Sequence, residues 1–184
     1  MDMLLILAVA LAMDSVAVSI AIGSKHKKIL FPRILLISAV FGLFQGAMPL
    51  VGYLIGISFA QYVQAYDHWI AFALLVGLGG KMLYEAYKDE FDEEVTDLSD
   101  KTLITLAIAT SIDAMAVGVT FAFLQTDIYT ASGIIALVTF LMCLGAVYIG
   151  KKLGSLLESK AEMLGGVILI GLGFKILLEH TGVL

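Results

Sequence analysis

Asp14 and Asp113 each stand in the middle of a long apolar run, and their surroundings match. The first reads AVALAMDSVAVSIA and the second AIATSIDAMAVGVTFA, 99 positions apart (14 and 113). A charged side chain at the centre of a membrane helix costs roughly 2.5–3.5 kcal/mol even on the mild insertion scale, so it normally has a partner and a function. Two of them at equivalent points of a duplicated context point to one shared cation site. Small residues recur around each: Ala10, Asp14, Ala17 and Ala21 in one run, Ala109, Asp113, Ala116 and Thr120 in the other. Steps of four, three and four put each set on one helical face, where small side chains let a second helix come close.

Further oxygen donors lie nearby. Ser15 follows Asp14, and Thr110 and Ser111 precede Asp113. Gln45, in FGLFQGAMPLVG, is an amide at membrane depth, and Pro49 removes the backbone donor that would bond its carbonyl. Interhelical hydrogen bonding is the competing role for Gln45. Glu162, in SKAEMLGG, is a candidate gate or ligand, or an acid favoured by a helix N-terminus. Asp14, Asp113, Gln45, Thr110, Ser111 and Glu162 form the expected metal set. Carboxylate, amide, hydroxyl and carbonyl oxygens without Cys or His suit Mg²⁺, Ca²⁺ or Mn²⁺ better than Cu⁺ or Zn²⁺.

Other polar residues have plainer readings. Lys81 and Glu85, like Lys175 and Glu179, are four apart, and snorkelling to the interface accounts for them. Asp67-His68-Trp69 opens an apolar run, with Trp69 fitting an aromatic belt. Met13 and Met115 beside the aspartates read as packing.

The elements that must position these groups are membrane helices. The chain has 184 residues, 60% hydrophobic, with mean hydropathy +1.00, against about 45–50% apolar in an average soluble domain. Its single cysteine, Cys143, excludes an internal disulfide and a Cys-based zinc site. The N-terminal run lacks a basic flank and carries Asp14, so it is expected to remain as a first membrane helix rather than be cleaved. Six runs near the 20 residues a crossing helix needs are predicted over 3–23, 34–57, 67–87, 102–124, 129–150 and 162–180.

The stretch 88–101, KDEFDEEVTDLSDK, reads as an acidic cytoplasmic linker between a first three-helix repeat, 1–87, and a second, 102–184. Gly46-Ala47 answers Gly145-Ala146, and VGLGGKMLYE (76–85) answers IGLGFKILLE (170–179). Three spans per half put the second half in the membrane upside down, an inverted repeat with its site at the repeat interface. The basic residues of the loops fall on one side only: Lys25, Lys27, Lys28 and Arg33; Lys88 and Lys101; Lys151, Lys152 and Lys160. By the positive-inside rule these loops face the cytoplasm and both termini lie outside a cell membrane.

The chain resembles the MntP family of bacterial manganese exporters through LAMDSVAVSIAIG, FGLFQGAMPLVG, DHWIAFALLVGLGGKMLYE, TLAIATSIDAMAVGVTFAFLQ and KAEMLGGVILIGLGFKIL. The resemblance implies a six-helix protein of the cytoplasmic membrane, related to LysE-type exporters, that expels Mn²⁺. It also places the family's membrane aspartates at Asp14 and Asp113. Expelling a divalent cation against an inside-negative potential costs about 4.6 kcal/mol per 100 mV (two charges at about 2.3 each). The sequence has no GxxxxGK[ST] nucleotide loop, so export requires an ion gradient, most simply protons exchanged at the same aspartates. No enzymatic activity, bound cofactor or nucleic-acid partner is expected; the partners are Mn²⁺, protons and lipid. A LysE-type amino-acid exporter is the nearest alternative. An intramembrane aspartyl protease is less apt, because no Gly-Asp pair occurs in the chain.

Overall fold

The computed structural model describes residues 2–63, 67–88, 98–124, 126–153 and 158–180. Six α-helices account for nearly all of them: α1 (Asp2–Lys25), α2 (Phe31–Val63), α3 (Asp67–Lys88), α4 (Asp100–Phe123), α5 (Ile128–Leu153) and α6 (Glu158–His180). The predicted runs match these in order and centre. The main difference is α2, which continues through residues 58–63, where the sequence suggested a loop. Gly56, Ser58 and Ala60 do not break it, because Pro and charge are absent from that stretch. At 1.5 Å per residue its 33 residues extend about 50 Å, well beyond a hydrocarbon core of about 30 Å. Most of the linker 88–101 lies outside the described residues.

Among the described residues four helices are long and apolar enough to cross a membrane: Met3–Lys25, Phe31–Ser58, Asp100–Phe123 and Ile128–Lys152. In α6 the apolar stretch is shorter, Met163–Lys175. Large apolar side chains cover the outside of these helices, among them Leu43, Leu54, Leu137 and Leu141. An exposed apolar surface of that extent fits contact with lipid.

Helices pack across the two halves rather than within them. α1 lies against α5 and α6, α4 lies against α2 and α3, and the two halves also meet along α2–α5 and α3–α6. Exchanging α1 with α4, α2 with α5 and α3 with α6 leaves this set of packed pairs unchanged. Phe72 and Phe174 join α3 to α6 edge-on, with ring centroids 5.0 Å apart.

The closest approaches depend on glycine. A Cβ on Gly118 of α4 would fall on the Pro49 carbonyl of α2, and one on Gly52 of α2 would fall on the Met115 carbonyl of α4. Gly23 and Gly150 play the same part between α1 and α5, against Val147 and Ile20. α1 is the central helix: every residue from Ala10 to Gly23 is buried, as expected of a helix that is apolar all round. At the basic end Arg33 donates 2.6 Å bonds to Asp100 Oδ1 and the Leu98 carbonyl, and Lys151 Nζ donates to the Ile29 carbonyl at 3.0 Å.

Candidate metal site

Asp14 is 7% exposed and Asp113 3% exposed, and both are held in the interior by the helices that cross there. α1 and α4 touch directly, and a hydrogen bond marks the contact: Ser15 Oγ donates to Thr110 Oγ1 at 3.3 Å. Leu11, Met13, Ala114 and Val117 pack in one cluster around that crossing. The small-residue face of α1 is fully buried at Ala10, Ala17 and Ala21. The corresponding face of α4 turns outward at Ala109, which is exposed. Close approach on α4 is made instead by Gly118, further along the helix and against α2.

The hydroxyls of α4 are partly committed to their own helix. Thr110 Oγ1 and Ser111 Oγ both donate to the Ala107 carbonyl, at 3.3 and 2.5 Å. Their lone pairs stay available as acceptors, a role either can fill toward a cation. Gln45 is completely buried, and its Nε2 donates 2.6 Å to the Leu11 carbonyl, tying α2 to α1 three residues before Asp14. That bond fixes the amide orientation and leaves Oε1 as a buried acceptor.

Buried acceptors collect here. Gln45 Oε1 and Asp113 Oδ2 have no hydrogen-bond partner among the described residues, and Asp14 Oδ1 takes no hydrogen bond although that carboxylate has other interactions. Buried polar atoms of this kind are rare, because each forfeits its hydration. A hard cation satisfies several at once. Among the described residues no three His, Cys, Asp or Glu side chains come together. The Glu162 side chain lies outside the described residues, as do those of Glu85, Glu179, Asp67 and His68.

One contact was not foreseen. Lys81 Nζ of α3 lies 3.4 Å from Asp113 Oδ1, across the boundary between the halves. Snorkelling and pairing with Glu85 had explained Lys81 adequately from spacing alone. The signal that singles it out is its recurrence as Lys175 in the matching stretch of the second half.

A bundle of long apolar helices with two carboxylates buried where two of them cross is the architecture of a membrane protein that handles a polar or ionic substrate. The family model described as "Putative manganese efflux pump" matches residues 28–177. Curated proteins called "Putative manganese efflux pump MntP" are similar over nearly the whole chain. The one from Campylobacter curvus is 50% identical over 96% of this chain and 96% of its own length. The one from Mannheimia succiniciproducens is 49% identical over 96% and 95%, and the one from Campylobacter hominis 48% identical over 98% and 99%. No solved structure matches. The chain belongs to the MntP family.

Proposed function

We propose that this protein exports Mn²⁺ across the cell membrane as a secondary transporter, with Asp14 and Asp113 as the charged ligands of one site between two inverted three-helix repeats. The observation that carries the reading is the burial of both carboxylates beside the α1–α4 crossing, tied by the Ser15–Thr110 hydrogen bond. Two carboxylates match one divalent charge in a medium where an unbalanced ion is costly. Gln45 Oε1, with the Thr110 and Ser111 hydroxyls, supplies the neutral oxygens, and Glu162 at the start of α6 completes the set as a gate.

The metal is taken from the names of the relatives, all manganese efflux pumps; the oxygen donor set is consistent with it. The repeat reading is supported by the exchange symmetry of the helix contacts, and divides the chain at the 88–101 linker. Coupling follows from the charge. After Mn²⁺ leaves, buried carboxylate charge has to be balanced by other cations, and protons entering from outside supply the driving force. The positive-inside rule supports a cytoplasmic Arg33 end of the bundle with both termini outside.

Mn²⁺ flux into proteoliposomes under an imposed pH gradient tests this. Wild type is expected to move Mn²⁺ with the gradient, and Asp14→Asn and Asp113→Asn are each expected to abolish it. Flux that persists in both variants would sink the site. Folded wild-type protein that moves a basic amino acid and no Mn²⁺ would replace the substrate.

A further inference from the structure

We propose that Lys81 is a tethered counter-cation for Asp113: its ammonium sits on the carboxylate when the site is empty, and the arriving divalent cation displaces it. This rests on the proposed Mn²⁺ export and adds to it the means by which the unloaded protein completes its cycle.

The geometry suits an exchangeable pair rather than a fixed one. Asp113 has a side chain only 5% exposed, whereas that of Lys81 is 49% exposed. The carboxylate is therefore buried in place while the ammonium reaches it from an accessible side. At 3.4 Å the contact is longer than the roughly 2.7–2.9 Å of a strong charge-assisted bond. Lysine is a compact point charge on a flexible stem, without the two-pronged grip of arginine. Only Oδ1 of Asp113 meets the ammonium, and Oδ2 is left as a buried acceptor. A cation arriving at Oδ2 meets the open edge of a carboxylate whose other oxygen holds the ammonium.

Room for the movement is built into α3. A Cβ on Gly77, one turn before Lys81, would meet nothing within 4 Å. Long helical side chains lie back over that preceding turn, so the stem of Lys81 has space to swing. The same device recurs in α6, where Gly171 stands four residues before Lys175 and also faces open space. α6 packs on α1, the helix of Asp14, as α3 packs on α4. Each half thus sends a lysine-bearing helix against the aspartate-bearing helix of the other.

The consequence concerns the return leg. An ionised carboxylate left alone at this depth holds the empty protein in whichever state gives it water. With the ammonium in place Asp113 is neutralised without a proton, and the empty protein reorients. Exchange of Mn²⁺ for Mn²⁺ never visits the empty return leg, so it does not need Lys81.

The experiment compares net Mn²⁺ flux into metal-free proteoliposomes with exchange of radioactive Mn²⁺ against internal Mn²⁺. Both are run at pH 8 for wild type, Lys81→Gln and Lys81→Arg. Loss of a counter-charge of about 1.4 kcal/mol or more predicts at least about a tenfold fall in net flux for Lys81→Gln. Its exchange is expected to fall no more than about threefold, since loaded forms carry their own cation. Lys81→Arg, which keeps the charge, restores net flux. If net flux and exchange fall together in Lys81→Gln, or neither changes, the counter-cation role is overturned while Mn²⁺ export stands. A wild type that moves no Mn²⁺ in either assay overturns the export reading and this role with it.

Discussion

Gln45 Nε2 of α2 donates a 2.6 Å hydrogen bond to the Leu11 carbonyl of α1. The bond joins two helices that otherwise scarcely touch and aims the amide oxygen at the interior, where it is buried without a hydrogen-bond partner among the described residues. Gln45→Met keeps the length of the side chain and removes both polar ends. Losing one neutral hydrogen bond is expected to cost about 1 kcal/mol of stability, a shift of a few degrees in a thermal melt of the detergent-solubilised protein. Losing the acceptor is expected to weaken Mn²⁺ transport at least about tenfold, equivalent to about 1.4 kcal/mol. A variant that melts earlier and transports normally would make Gln45 a helix clamp and no ligand.

Glycine positions separate close packing from open surface. A methyl at Gly118 would collide with the Pro49 carbonyl, whereas one at Gly133 or Gly145 meets nothing within 4 Å. Backbone gives way less readily than side chains, so Gly118→Ala is expected to lower stability by about 1–3 kcal/mol. Gly133→Ala and Gly145→Ala, with space around them, are expected to match or exceed wild type. Melting temperatures of the three variants check this, and equal melts would deny the close α2–α4 contact.

Much of this arrangement is legible in the residues. Length and apolarity define the helices, because a bilayer leaves the backbone few ways to satisfy its own polar groups. The aspartates announce themselves by cost, and their burial agrees with the expectation. What spacing along one helix does not encode is the partner across the bundle. Lys81 and Glu85 are neighbours on a helix surface by count, and that count gives no sign that Lys81 also reaches Asp113, 32 positions away in sequence. Ala109 likewise fits the small-residue face by periodicity, but α4 turns that position outward because Gly118 and its surroundings make the tighter contact. The glycine contacts of α1 with α5 and α2 with α4 depend on which helices become neighbours, and that is a property of the assembled fold.

At the other end of the bundle Asp127 opens α5. Its Oδ2 accepts a 2.5 Å hydrogen bond from the Thr130 hydroxyl, and its Oδ1 accepts from the Tyr129 amide. The Thr130 hydroxyl bond, opposed by desolvation and joined by the backbone amides of Tyr129 and Thr130, lowers its pKa below the ordinary 3.8. A carboxylate with a lowered folded-state pKa stabilises the fold at pH above its ordinary value, and that contribution disappears as pH falls through the lowered one. Thr130→Val is therefore expected to reduce stability near neutral pH and to have progressively less effect as the pH is taken below 3.8. Melts of wild type and variant across an acid series check this; a gap that widens toward acid would contradict it.

The helix contacts also say where the chain tolerates a break. Each half makes its principal packing with the other: α1 with α5 and α6, α4 with α2 and α3. Contacts inside a half are minor by comparison, α1 touching α2 and α4 touching α5 only lightly. A cut within the 88–101 linker severs the covalent link but none of those interhelical surfaces. Small residues at the contacts, Gly52 with Gly118 and Gly23 with Gly150, draw the helices together by close packing, which in lipid is the main source of association. Residues 1–92 and 93–184 produced as two chains in one membrane are thus expected to co-purify and to restore Mn²⁺ export. Either half alone is expected to be degraded or to self-associate. Introducing Gly118→Val into the second half, against the Pro49 carbonyl of the first, is expected to abolish recovery. Independent accumulation of each half as a stable, monodisperse species would show that the two units do not need each other's helices to fold.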